Sequence, residues 1–207
     1  MSYKKIIISP HIDDDILGCG GILDENSLVI YCGVDDFHVV GRKDRIKEAE
    51  SASKLLGHSY EILHGNKVNH YDAVDLIDEI SSYINKYKPE QVYVPYPSYN
   101  QDHRAVYEAS MVSLRPHDVN FFVKEVFVYE QPHTFFWNHT YNLNSPQFIP
   151  NYFIPIDVDR KLSAYAAMAS QNRTFRRPEH VMALSTVRGG QANCQHAEAF
   201  QIIRMAK

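Results

Sequence analysis

The sequence predicts an α/β fold, a mostly parallel sheet with helices on both faces, and three observations carry that expectation. Short apolar runs recur between residues 4 and 130, each the length of a buried strand. Longer segments with helical spacing alternate with them, as crossover connections require. The chain is 207 residues, 44% hydrophobic and 22% charged, enough for one full core, so a single domain over 1–207 is expected.

The elements follow in order. Lys4 to Ser9 reads as a buried strand and Ser27 to Gly33 as a second. Arg42 to Gly57 is a helix with a natural stop at its glycine. Ser59 to Leu63 is a third strand. Asp72 to Tyr87 carries Ala73, Leu76, Ile80, Tyr83, Ile84 and Tyr87 on one helical face, and Pro89 closes it. Gln91 to Val94 is a fourth strand, Asp102 to Leu114 a helix, and Lys124 to Glu130 a fifth strand. Residues 131 to 153, rich in Pro, Asn, His and aromatics, read as a long structured loop over the sheet edge or the site mouth, whose Phe135, Phe136 and Trp137 fit packing on the sheet as well as stacking on a ligand ring. A late strand at Ile154 to Asp157, a helix at Arg160 to Gln171 and a terminal strand at Phe200 to Arg204 complete the reading.

The bulk numbers exclude several classes. A net charge of −4 argues against life on nucleic acid or anionic lipid. No apolar run approaches the ~20 residues of a membrane span, and the start lacks a signal-peptide core. Cys19, Cys32 and Cys194 are odd in number and widely spaced, which fits reduced thiols and a cytoplasmic location. Oligomerisation is left open. The run Gly18-Cys19-Gly20-Gly21 has the wrong spacing for a dinucleotide site.

Chemistry concentrates at two strand ends. In an open α/β sheet, ligands sit beyond the carboxyl ends of the strands. His11 to Asp15 follow the first strand and Tyr96 to His103 follow the fourth, so both segments emerge on that edge. Three adjacent carboxylates, Asp13, Asp14 and Asp15, repel one another and need a compensating cation, a helix N-terminus or solvent. An imidazole and a carboxylate three residues apart, His11 and Asp14, can address one ion, and His103 offers a third donor.

Those residues carry a resemblance. His11-Ile12-Asp13-Asp14-Asp15 resembles the His-Pro-Asp-Asp-Glu signature of the PIG-L/LmbE-like zinc-dependent N-deacetylases, and Asn100-Gln101-Asp102-His103 resembles that family's His-x-Asp-His motif. Arg45-x-x-Glu48 with Leu56-Gly57, and Arg188-Gly189 with Ala197-Glu198-Ala199-Phe200, are similar to two further family segments, so the likeness spans residues 9 to 200. It implies a Rossmann-like fold and a hydrolase that N-deacetylates a small N-acetylated amino sugar or its conjugate. It implies one Zn2+ (Fe2+ or Co2+ suit the same ligands) held by His11, Asp14 and His103. Asp13 would act as general base and acid, Asp102 would orient a ligand, and Arg45 and Arg188 would bind substrate. Asn100 stands where the family has a histidine that stabilises the oxyanion; asparagine can donate a hydrogen bond there but cannot carry charge.

Two other readings compete. Asp13-x-Asp15 after the first strand also resembles the start of haloacid-dehalogenase-like, magnesium-dependent phosphatases, with Asp157-x-Asp159 as the late acidic pair. Asn100 alone would suit a sugar-binding relative with weakened catalysis.

Overall fold

A computed structural model describes residues 3–35, 40–64, 67–141 and 147–207. Its elements are β1 (Lys5–Ser9), α1 (Asp14–Cys19), β2 (Ser27–Tyr31), α2 (Arg42–Leu56), β3 (Ser59–Ile62), α3 (Ala73–Tyr87), β4 (Gln91–Pro95) and α4 (Gln101–Ser113). They continue with β5 (Glu125–Tyr129), α5 (Pro132–Tyr141), β6 (Tyr152–Pro155), α6 (Val158–Ala166), two 3-10 turns (Ala169–Gln171 and Thr174–Arg176), α7 (Pro178–Gln191) and β7 (Ala197–Met205).

The seven strands form one sheet in the order β3-β2-β1-β4-β5-β7-β6, the first five parallel and β7 antiparallel to both of its neighbours, β5 and β6. Strands β1 and β2 are isoleucine-, valine- and leucine-rich and buried almost throughout, because helices cover both faces. On one face Ile7, Val29 and Phe127 pack against Ala49, Ala52 and Leu56 of α2 and Ala164 and Tyr165 of α6. On the other, Ile6, Ile8 and Val92 meet Leu76, Ile80 and Ile84 of α3 and Val106 of α4. The chain order reverses between β1 and β4, so the crevice of this doubly wound sheet opens beyond their carboxyl ends.

Local signals set the helix ends. Asp72 caps α3 by accepting from the backbone N–H of Val74 and Asp75 (2.8 and 3.1 Å), and Gly57 ends α2 at φ 79°. Helix α1 lies so close to β5 that a Cβ on Gly18 would stand 2.3 Å from the Tyr129 ring.

The second half departs from expectation. Residues 131 to 153 are not one loop: Pro132–Tyr141 is helix α5, and Tyr152–Pro155 is the edge strand β6. Pro132 is a misleading signal, since proline suits the first turn of a helix as well as a loop. Helix α7 is masked in the same way by Pro178 at its start and by Gly189 and Gly190 near its end. Gly189 belongs there because a Cβ would meet the Gln195 carbonyl oxygen at 2.4 Å. The helix expected from Arg160 to Gln171 spans Val158–Ala166 and passes into the first 3-10 turn.

Behind α1, His58 is sealed in with its side chain 3.9 Å from Asp15 Oδ2 and neither ring nitrogen hydrogen-bonded within the described residues. Burial, helped by the Arg160 charge, pushes His58 down to about 4. Burial pushes the Asp15 carboxyl up to about 7, although the Tyr31 hydroxyl donates to it. A histidine whose folded pKa lies below its unfolded value leaves stability intact above about 6.5 and loses it as pH falls toward 4. Unfolding free energy measured at pH 7.5 and 4.5 should therefore drop by about 2–3 kcal/mol more in the parent than in His58→Leu. Parallel pH profiles would contradict this assignment.

Candidate active site

The turn after β1 carries the first half of the site. Asp13 sits at φ 144°, ψ −27°, a conformation unusual for any residue but glycine, and this twist precedes α1. It places His11, Asp13 and Asp14 together at the crevice. The second half follows β4, where Asn100 caps α4 by accepting from the Asp102 N–H at 2.8 Å. The cap sets the first turn of α4, from which Asp102 and His103 reach the same point.

Asp14 Oδ2 is the hub. It accepts from the His11 backbone N–H (3.1 Å), lies 3.1 Å from His11 Nδ1 and 3.2 Å from His103 Nε2. Donor atoms of His11, Asp14 and His103 all lie within 4.8 Å of one another. Two imidazoles and one carboxylate are a donor set for a catalytic divalent metal, with one position left for water or substrate. The other nitrogen of His11, Nε2, is 2.8 Å from Asp102 Oδ2, which also accepts the Asn69 N–H at 2.9 Å. Asp102 therefore holds the Nε2 proton and leaves Nδ1 to face Asp14, as carboxylates behind metal-binding histidines do.

A cavity of about 480 Å³ opens over this group, lined by His11, Asp13, Asp14, Asn100, His103, His133 and a rim that includes Asp35, Tyr99, Arg173 and Phe175. Asp13 stands apart from the three donors. Its Oδ2 takes a 2.6 Å ion pair from Arg176 Nη1, supplied by the second 3-10 turn. Burial raises the Asp13 carboxyl above the ordinary range, and the Arg176 charge opposes that. Burial also penalises the charged forms of Asp14 and His11. The His103 charge and hydrogen bond nonetheless hold Asp14 well below the usual carboxylate range. The bonds to Asp102 and Asp14 likewise hold His11 well above its usual value.

A family model whose description is GlcNAc-PI de-N-acetylase, PIG-L, matches residues 6–114, the stretch that contains both halves of this site. The chain belongs to the PIG-L family. Among solved structures, the PIG-L chain shares its fold with a conserved protein of Thermus thermophilus (20% identity, TM-score 0.81, covering 99% of this chain and 96% of that one). It also matches GalB, the 4-carboxy-2-hydroxymuconate hydratase of Pseudomonas putida (19% identity, TM-score 0.78, 100% and 99%). A third is the N,N'-diacetylchitobiose deacetylase of Pyrococcus horikoshii (18% identity, TM-score 0.72, 97% and 84%). No curated protein matches the chain in sequence at a significant level.

The remaining sequence-derived candidates fall differently in the PIG-L chain. Arg45 lines the cavity, but its guanidinium is engaged by Glu48 (2.6 Å), Ser170 (3.1 Å) and the Ile12 carbonyl, so it braces the turn that carries Asp13. Arg188 is not at this cavity: on α7 it forms a two-pronged ion pair with buried Glu130 and donates to Gln191 at 2.7 Å. The glycines in and after α1 face protein, not ligand, with Gly18 on Tyr129 and Gly21 on Ile156. The phosphatase arrangement is not assembled, since Asp15 points to Tyr31 and Asp157 caps α6. Trp137 packs against Phe175 at 4.2 Å between ring centroids.

Sequence reasoning passed over Arg176 and His133. Arg176 lies in an arginine-rich stretch, Arg173 to Arg177, just before Pro178, and its only signal was charge density beside a helix start. His133, two positions into α5, is nine-tenths buried, and burial pushes it down to about 3, with the neighbouring His103 charge acting the same way.

Replacing Asp102 by Ala should weaken metal binding by about 10- to 100-fold, because His11 loses its orienting partner. Competition with a chelator of known affinity measures this, and an unchanged dissociation constant would remove Asp102 from that role.

Proposed function

We propose that this PIG-L chain is a zinc-dependent hydrolase that removes the acetyl group from an N-acetylated amino sugar or a conjugate of one. The observation that carries the reading is the His11, Asp14 and His103 donor set at the switch point with the Asp13 carboxylate beside it. The family match and the deacetylase fold among its structural neighbours support it.

Held by those three residues, zinc would polarise the amide carbonyl and make water nucleophilic near neutral pH. Every other task falls to the chain itself. Asp13 takes a proton from the attacking water as the new C–O bond forms at the acyl carbon. It then delivers that proton to the sugar nitrogen as the C–N bond breaks, releasing acetate and a free amine. Arg176 fixes the direction of the Asp13 carboxylate and favours its ionised form. Asp102 keeps the His11 ring in one orientation. A cavity of about 480 Å³ is in the range that encloses a small ligand such as one or two sugar rings.

The test is acetate release from a panel of N-acetylglucosamine, N,N'-diacetylchitobiose and a nucleotide-linked N-acetyl sugar by the zinc-loaded protein. At least one should be deacetylated, and Asp13→Asn should lower kcat by about 10²–10⁴ while zinc stays bound at the parent stoichiometry. No acetate from any probe, or zinc lost from Asp13→Asn, would overturn the reading.

A further inference from the structure

We infer that His133 is a further catalytic residue, donating a hydrogen bond from Nδ1–H to the substrate's acyl oxygen as negative charge develops there. This rests on the deacylase reading above. Three observations support it.

The first is position. Helix α5 begins directly after β5, the strand beside β4, so His133 enters the same crevice from a third strand end and lines the cavity with Asp13 and His103. The second is rigidity. The ring stands edge-on between two others, 5.1 Å from His103 and 5.6 Å from Tyr99 between centroids, at 83° and 77°. A donor fixed before the reaction begins costs nothing to reorient when charge appears.

The third is the tautomer. Ser98 is fully buried, and its Oγ accepts the Asn100 backbone N–H at 3.2 Å. The hydroxyl proton then needs an acceptor, and the one beside it among the described residues is His133 Nε2, at 3.2 Å. An accepting Nε2 leaves the ring neutral with its proton on Nδ1. Among the described residues that nitrogen has no hydrogen-bond partner, and it is not one of the sealed atoms, on a residue that lines the cavity.

The step balances simply. As water oxygen bonds to the acyl carbon, the carbonyl π pair moves onto the acyl oxygen, where the Nδ1–H meets it. When the pair returns, the C–N bond breaks and the nitrogen takes the proton held by Asp13. His133 gains and loses no proton.

The experiment uses the zinc-loaded full chain with the acetylated probe that the parent turns over best. His133→Phe should lower kcat about 10²–10³-fold with KM within about threefold and zinc content unchanged, and His133→Asn, which keeps an N–H donor, should recover part of the loss. In the parent, nitrogen-15 NMR of the histidine rings should show His133 as the neutral Nδ1–H tautomer, a reading that does not depend on any variant folding. A kcat within threefold of the parent in His133→Phe, an Nε2–H tautomer, or loss of zinc from the variant (a ligand, not a donor) would each overturn the inference alone. A parent that deacetylates none of the probes would overturn the deacylase reading, and this inference with it.

Discussion

Asp13, Asp14 and Asp102 converge at one sheet end with almost no access to water, and the site is organised around offsetting that charge. Buried carboxylates left unpaired would protonate or destabilise the fold. Here each is paired with a cation or an imidazole, one imidazole serving two of them. Arg176 answers Asp13, His11 and His103 share Asp14, and His11 also answers Asp102. In the proposed reaction this pairing divides the carboxylates by task. The one bonded only by imidazoles and a backbone amide would serve as a metal ligand. The one behind an imidazole would orient it. The one facing an arginine would stay apart from the donors and move the proton.

The sheet supplies the geometry that makes this division possible. Chain order reverses between β1 and β4, so two loops diverge there and leave a crevice that packing does not fill. A strained turn at Asp13 and a capped helix at Asn100 bring their side chains to a common point. The next strand, β5, adds His133 from a third direction. Fold alone does not decide the reaction, since a hydratase and a deacetylase both superpose on this chain. The assignment rests on the donor set and on a carboxylate beside it.

Much of this is legible in the sequence where the signal is local. Strand–helix alternation announces the parallel half of the sheet, because buried strands and amphipathic crossovers have distinct periods. The metal-ligand candidates can be read because His11 and Asp14 are three residues apart and His103 closes a short strand-end motif. What cannot be read depends on long-range packing. Arg176 meets Asp13 across 163 positions, and no spacing rule joins them. Helices α5 and α7 open on prolines and carry aromatics or glycines without a clean apolar stripe, so they resemble loops. Arg188 shows the converse: a motif residue placed at an expected position, yet turned to Glu130 within the protein.

The most direct measurement is anomalous diffraction at the zinc absorption edge from crystals grown with zinc. One peak within about 2.0–2.2 Å of single donor atoms from His11, Asp14 and His103, with Asp13 outside bonding distance, is the expected result. A crystal with no peak there, or with Asp13 among the ligands in place of Asp14, would contradict the division of labour among the carboxylates.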